Sequence, residues 1–204
     1  AAFPTHVKIM PAEKKPIHSL VVNGAECEPY LTTDYRLMVE APDAIVAGAM
    51  LAARAVGARR AYIGIENNKL EAVASLRRAA AGAGVHIAVV KTKYPQGSEK
   101  QLIKATVNRE VPLGGLPSAV GVAISNVGTV AAIARAVIRQ KPLTHRVMTV
   151  TGCPRPARRC TRCEAMKPVP TSTQMRNAFM VVPCLVSAAD CKSVRRRWSR
   201  NAGQ

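Results

Sequence analysis

Short apolar runs alternate with longer amphipathic segments over the first three quarters of this chain. The helical segments are rich in alanine, and Asp43 and Gly57 are placed to cap the start and end of the first one. Repeated strand–helix units of this size predict an α/β fold with a mostly parallel, Rossmann-like sheet and helices on both faces. The predicted strands are 19–22, 61–65, 85–90, 120–125 and 146–151, and the predicted helices 43–57, 69–81, 99–107 and 127–139.

Apolar segments long enough to cross a membrane are absent from the sequence. A spanning helix needs roughly 18 consecutive apolar residues, and the longest candidate, residues 44–53, gives way to Arg54. No charged-then-apolar leader pattern is present either. The sequence therefore predicts no direct membrane span.

Positive charge is concentrated at one end of the chain. The formal net charge is +18, and residues 1–152 carry 19 Lys and Arg against 10 Asp and Glu. Residues 153–204 carry 11 Lys and Arg against 2 Asp and Glu, so the same excess of positive charge falls on about a third as many residues. We therefore predict a domain over 1–152 and a separate irregular basic tail over 153–204, rich in Cys, Arg and Pro.

Two carboxylates and an amide follow the first predicted strand. The segment 23–29 reads Asn-Gly-Ala-Glu-Cys-Glu-Pro and comes directly after Leu20-Val21-Val22. In parallel α/β sheets ligands bind at the carboxyl ends of the strands, and acidic residues are otherwise scarce here. This segment is a candidate binding loop, with an ordinary solvated loop as the alternative.

Two further segments favour the binding interpretation. Residues 1–8 read Ala-Ala-Phe-Pro-Thr-His-Val-Lys, and residues 94–102 read Tyr-Pro-Gln-Gly-Ser-Glu-Lys-Gln-Leu. With segment 23–29, they make the chain resemble the C subunit of the Rnf electron-transport complex, a membrane-associated ferredoxin:NAD oxidoreductase. A more distant resemblance is to the NADH-binding flavoprotein of respiratory complex I. The resemblance covers residues 1 to about 152.

The resemblance implies the roles of the first site residues. Phe3 and Lys8 fall in a motif that follows a glycine-rich, flavin-wrapping loop in both families. Asn23 and Glu26 are placed against flavin mononucleotide (FMN), and Glu28 faces the nicotinamide nucleotide. The complex I flavoprotein has Asp where this chain has Ala25, so one polar flavin contact is lost.

Two more loops complete the implied site. Gly97 permits close backbone approach, Ser98 replaces an acid of the complex I flavoprotein, and Glu99 lies near flavin and nucleotide or is a helix-starting acid. Ser125 and Asn126 end a strand and open a helix whose N-terminus could hold the flavin phosphate. Helix capping by either residue explains the same pattern.

The implied cofactors are FMN and NAD(H), and the implied partners are other Rnf subunits, with ferredoxin reached through the complex. The location implied is peripheral, on the cytoplasmic side of the bacterial inner membrane. Because flavin N5 itself takes the hydride, we assign no catalytic side chain. We expect a fragment without the glycine-rich loop and without the 4Fe-4S ligands that the Rnf family has.

The tail supports a competing hypothesis. Cys160 and Cys163 have zinc-ribbon spacing, and the run 195–197 of three arginines precedes Trp198, so a basic zinc- or nucleic-acid-binding module is the alternative function. A zinc ribbon needs a second close cysteine pair, which the sequence lacks. We therefore expect no metal site, no nucleic-acid partner and no ordered domain in the tail, and propose that it is not homologous to the family.

Overall fold

A four-stranded, entirely parallel sheet forms the centre of the protein. The computed structural model describes residues 5, 8, 16–28 and 30–139. The strands are β1 (Ser19–Asn23), β2 (Arg60–Glu66), β3 (Val85–Val90) and β4 (Val122–Asn126), in the spatial order β3-β2-β1-β4. β1 pairs in parallel with both β2 and β4, with Asn23 opposite Gly64 on one side and Asn126 on the other. The predicted parallel α/β fold is confirmed.

Helices cover both faces of this sheet. They are α1 (Thr33–Glu40), α2 (Pro42–Ala55), α3 (Leu70–Ala80), α4 (Glu99–Val107) and α5 (Val127–Arg139). Leu20 and Val22 of β1 point into the larger core with α1, α2, α3 and α5. Val21 points to the opposite face and packs with Leu102 and Ile103 of α4. This alternation is the period-2 pattern of a strand buried on both sides.

The order of the strands creates a switch point between β1 and β4. The chain steps outward from β1 to β2 and β3 through helices of the larger core. It then returns by way of α4, on the opposite face, to place β4 on the other side of β1. Where successive connections leave in opposite directions, a crevice opens at the carboxyl ends of the two central strands.

Several elements differ from the sequence predictions. Helix α1 was not predicted. Helix α2 begins at Pro42, which suits the first helical position, so Asp43 lies in the first turn and is not the N-cap. Strand β4 begins at Val122 because Pro117–Val120 forms a 3-10 turn ahead of it.

Several predictions fall outside the described residues: the strand 146–151, the boundary near 152, the tail and Phe3. Within the described part of the chain, no helix is long and apolar enough to span a membrane.

Candidate functional site

A cavity of about 290 Å³ lies at the carboxyl ends of β1 and β4. Its volume is close to the lower limit of small-molecule sites, roughly 300 Å³. The loop after β1, the start of α1, the loop before α4 and the end of β4 all contribute to its wall. The lining residues are Asn23, Ala25, Glu26, Cys27, Glu28, Leu31, Thr33, Asp34, Gly97 and Asn126.

Asn23 joins two of these loops. Its Nδ2 donates to the Gly97 carbonyl at 2.8 Å, and its Oδ1 accepts the Ala25 N–H at 3.0 Å. The Gly97 N–H in turn donates to the Cys27 Sγ at 3.0 Å. A Cβ on Gly97 would lie 2.5 Å from the Ala25 oxygen and 2.7 Å from that sulfur, so only glycine fits between these loops.

Glu26 is held by an ion pair and a backbone hydrogen bond. Its Oε1 accepts the Asp34 N–H at 2.8 Å, and its Oε2 lies 3.0 Å from the Lys69 Nζ. The Glu26 side chain is only 6% exposed and that of Lys69 19%. The Lys69 ammonium also lies 5.2 Å from the centre of the Tyr35 ring. This carboxylate is therefore fixed in place, with lone pairs left for a ligand.

Asn126 occupies the junction between β4 and α5. Its Oδ1 accepts the Gly128 N–H at 2.7 Å, which is the pattern of a helix N-cap. Its Nδ2 donates to Oδ2 of Asp34 at 2.6 Å. The helix-capping interpretation of Asn126 is therefore confirmed, and the Gly128 N–H already has a partner.

The cavity is electrically negative. Glu26, Glu28 and Asp34 line it, and no Lys or Arg is among its lining residues in the described part of the chain. Burial raises the pKa of the Asp34 carboxyl above its usual value, and repulsion from Glu26 and Glu28 raises it further. Carboxylates and amides of this kind suit ligand hydroxyl and N–H groups rather than a phosphate.

A fourth carboxylate lies behind the cavity, at the end of β2. Glu66 is 5% exposed, and burial raises its pKa, which the positive charge of Lys69 opposes and the negative charge of Glu26 reinforces. Lys69 therefore influences three acids at or near the site, Glu26, Asp34 and Glu66.

The structure brings together half of the residues predicted for the site. Of the predicted residues, Asn23, Glu26, Glu28, Gly97 and Asn126 line the one cavity. The others described lie outside its lining: Lys8, Ser98, Glu99 and Ser125. Lys8 and Glu99 instead form an ion pair with each other at 3.0 Å, which places Lys8 at the start of α4.

Leu31 and the start of α1 form part of the cavity wall, and neither was predicted from the sequence. Leu31, Thr33 and Asp34 all line the cavity. Thr-Thr-Asp directly downstream of the candidate loop is a typical helix start, and this signal could have placed a second wall there. Cys27 also lines the cavity.

Metal ligation has no support in the described residues. No group of three or more His, Cys, Asp or Glu side chains within 16–28 and 30–139 is arranged to hold an ion.

Comparison with known proteins defines the class to which this fold and site correspond. The sequence model of the Nuo51 FMN-binding domain matches residues 1–135. The chain belongs to this family.

Among curated proteins, similarity is to the C subunits of ion-translocating oxidoreductases. The chain is 47% identical over 152 residues to the C subunit of the proton-translocating ferredoxin:NAD(+) oxidoreductase complex of Clostridium ljungdahlii. It is 46% identical over 153 residues to the C subunit of the Na(+)-translocating complex of Acetobacterium woodii. These alignments cover 74% of this chain but only 33% and 34% of the relatives. The predicted resemblance to the Rnf protein is confirmed.

Solved structures support the same fold. The air-oxidized state of an NAD+-reducing [NiFe]-hydrogenase matches with a TM-score of 0.53 and 29% identity, over 67% of this chain and 27% of that chain. Its H2-reduced state matches with the same TM-score and 26% identity, over 64% and 26%.

Proposed function

We propose that this chain is the flavin- and NAD(H)-binding part of the C subunit of an ion-translocating ferredoxin:NAD oxidoreductase of the Rnf type. The observation that carries the proposal is the cavity at the switch point between β1 and β4, in a chain of the FMN-binding family. Its walls contain Asn23 and Glu26, the two side chains that the family resemblance assigns to flavin, together with Asn126.

The donor set fits the hydroxyl-rich and heterocyclic parts of FMN. Fixed carboxylates accept hydrogen bonds from ribityl hydroxyls, and amides serve both donors and acceptors of the ring. Because no Lys or Arg within residues 16–28 and 30–139 lines the cavity, we place the phosphate outside it. When bound, FMN supplies the redox chemistry by accepting hydride from NADH at its N5.

The protein side chains bind the flavin and the nucleotide and orient them. Glu26 is held by Lys69 and the α1 backbone, so it presents its free lone pairs in one direction. Asn23 fixes the distance between the β1 loop and Gly97. Glu28 is an exposed acid at the rim of the cavity, and we assign it to ribose hydroxyls of the nicotinamide nucleotide.

The wider assignment follows from the relatives. We propose that the functional unit is residues 1–152 and that it works with other subunits of the complex. Ferredoxin is reached through those subunits. The complex places this unit peripherally, on the cytoplasmic side of the bacterial inner membrane. Cys27 is the only cysteine of residues 1–152, so that unit has no ligand set for a 4Fe-4S cluster. The cysteines and arginines on which the zinc- or nucleic-acid-binding alternative rests lie outside the described residues.

Two variants distinguish the residues that bind the flavin from those that bind the nucleotide. Glu28→Gln should weaken NADH binding more than FMN binding, by about 1 to 3 kcal/mol for a lost charged hydrogen bond. Asn23→Ala should do the reverse, because it frees the loop that faces the flavin. FMN fluorescence quenching and NADH titration of the FMN-loaded chain measure both affinities.

The control is Glu40→Gln, a carboxylate of α1 that pairs with Arg36 on the surface. It should change neither affinity. Equal losses of both ligands in both site variants would contradict the assignment and indicate general disruption of the loop.

A further inference from the structure

Asp34 and Asn126 connect two walls of the cavity that are 92 residues apart in sequence. Asp34 lies in the first turn of α1, and Asn126 is the last residue of β4. The 2.6 Å hydrogen bond from the Asn126 Nδ2 to the Asp34 Oδ2 links α1 to the junction between β4 and α5.

This contact decides which way the Asn126 amide faces. A carboxylate only accepts hydrogen bonds, so it must face the NH2 end of the amide. At the other end, the Gly128 N–H only donates and must face the Oδ1, at 2.7 Å. Both ends of the amide are therefore defined, and a flip would place like groups against each other twice.

We propose that Asp34 is a positioning residue of the proposed flavin site: together with the Gly128 N–H it fixes the orientation of the Asn126 amide, through a hydrogen bond whose strength depends on pH. The inference rests on the proposed function of the cavity. It adds a residue that neither the sequence motifs nor the family resemblance pointed to.

The charges around Asp34 set the direction of the pH dependence. Burial raises its pKa, Glu26 and Glu28 of the β1 loop raise it further, and the hydrogen bond from Asn126 and the charge of Lys69 at the start of α3 lower it. Ionised Asp34 makes a charge-assisted hydrogen bond, and protonated Asp34 makes a weaker one. The bond therefore weakens as pH falls through this pKa, earlier than for an ordinary Asp.

Linkage provides a test that needs no ligand. Because the Asn126 hydrogen bond lowers the pKa of Asp34, Asn126→Ala should raise that pKa further. The 13Cγ resonances of the three aspartates, Asp34, Asp43 and Asp190, are followed by NMR against pH in the full chain. Asp34→Asn identifies the resonance. Asn68→Ala, at an exposed turn, is the matched control and should leave the pKa of Asp34 unchanged.

The second measurement is FMN affinity. Asp34→Ala should weaken FMN binding about threefold to tenfold, the effect of one net hydrogen bond. Asp34→Asn, which keeps a neutral acceptor, should stay within about twofold of the parent near neutral pH. In the parent, FMN affinity should fall on acidification through the pKa of Asp34, and in Asp34→Asn that pH step should vanish.

The outcomes separate the inference from the function on which it rests. An Asp34 pKa that is unchanged or lowered in Asn126→Ala overturns the inference, as does a pH step that persists in Asp34→Asn. If the parent chain binds no FMN at all, the proposed function fails, and the pKa measurement alone decides whether Asp34 and Asn126 are coupled.

Discussion

Lys69 lies behind the cavity between two acids that are largely withdrawn from water. It pairs with Glu26 at 3.0 Å, and its charge opposes the burial that raises the pKa of Glu66. A carboxyl whose pKa is raised by folding stabilises the folded state below the unfolded pKa, and that contribution is lost as pH rises through the folded pKa. Glu66 therefore makes the protein less stable at neutral pH than its packing alone would give.

Glu66→Gln should remove this pH-dependent cost. The free energy of unfolding of the variant, relative to that of the parent, should increase as pH is raised from about 4 to about 7. Urea unfolding at several pH values, followed by circular dichroism, measures the difference.

The matched control is Glu110→Gln, because the hydrogen bond and charge of Lys104 lower the pKa of Glu110. A group with a lowered pKa contributes stability above its unfolded pKa and loses it as pH falls, so the control should change with pH in the opposite direction. Parallel curves for the two variants would contradict the assignment of Glu66.

At the scale of elements, helices α2 and α5 pack against each other through a glycine. A Cβ built on Gly48 would lie 1.8 Å from the backbone oxygen of Val130. Glycine inside a helix costs about 0.5 to 1 kcal/mol relative to alanine. The packing gained by the close approach of the two helices outweighs that cost. The same contact keeps α5, the helix capped by Asn126, packed against the larger core.

Gly48→Ala should therefore destabilise the protein even though alanine is the better helix former. We expect a loss of at least about 2 kcal/mol in the free energy of unfolding, because backbone must move to make room. Thermal and urea unfolding measure it. Gly57→Ala is the control: a Cβ there meets nothing within 4 Å, and its φ of +70° costs about 1 kcal/mol. A Gly48→Ala variant as stable as the parent would show that the helices are not in contact at this point.

Periodicity predicted the strands and four of the five described helices because long apolar patterns reflect burial directly. β1 and α3 are examples, since nearly every residue of β1 is buried and α3 buries one face. Helix α1 was not predicted because it is short, half of its residues are polar, and Met38 is its one fully buried side chain. The wall of the cavity that contains Asp34 was therefore not predicted either.

At the scale of the whole molecule, strand order determines which loops meet. The loop after β1 and the end of β4 were both predicted to carry site residues, but sequence order gives no reason for β4 to be a neighbour of β1. The return connection through α4 places β4 beside β1 and brings Asn126 within 2.6 Å of Asp34. The pairing of Lys8 with Glu99 is likewise a product of tertiary structure that spacing does not reveal.

We have proposed that the cavity at the β1–β4 switch point is the flavin site. The most direct measurement is a crystal structure of the chain grown with FMN. We expect FMN density in this cavity, with polar atoms of its ribityl chain or ring within hydrogen-bond distance of Asn23, Glu26 or Asn126. The phosphate should lie outside the carboxylate lining. FMN density elsewhere on the fold, with the cavity holding only water, would contradict it.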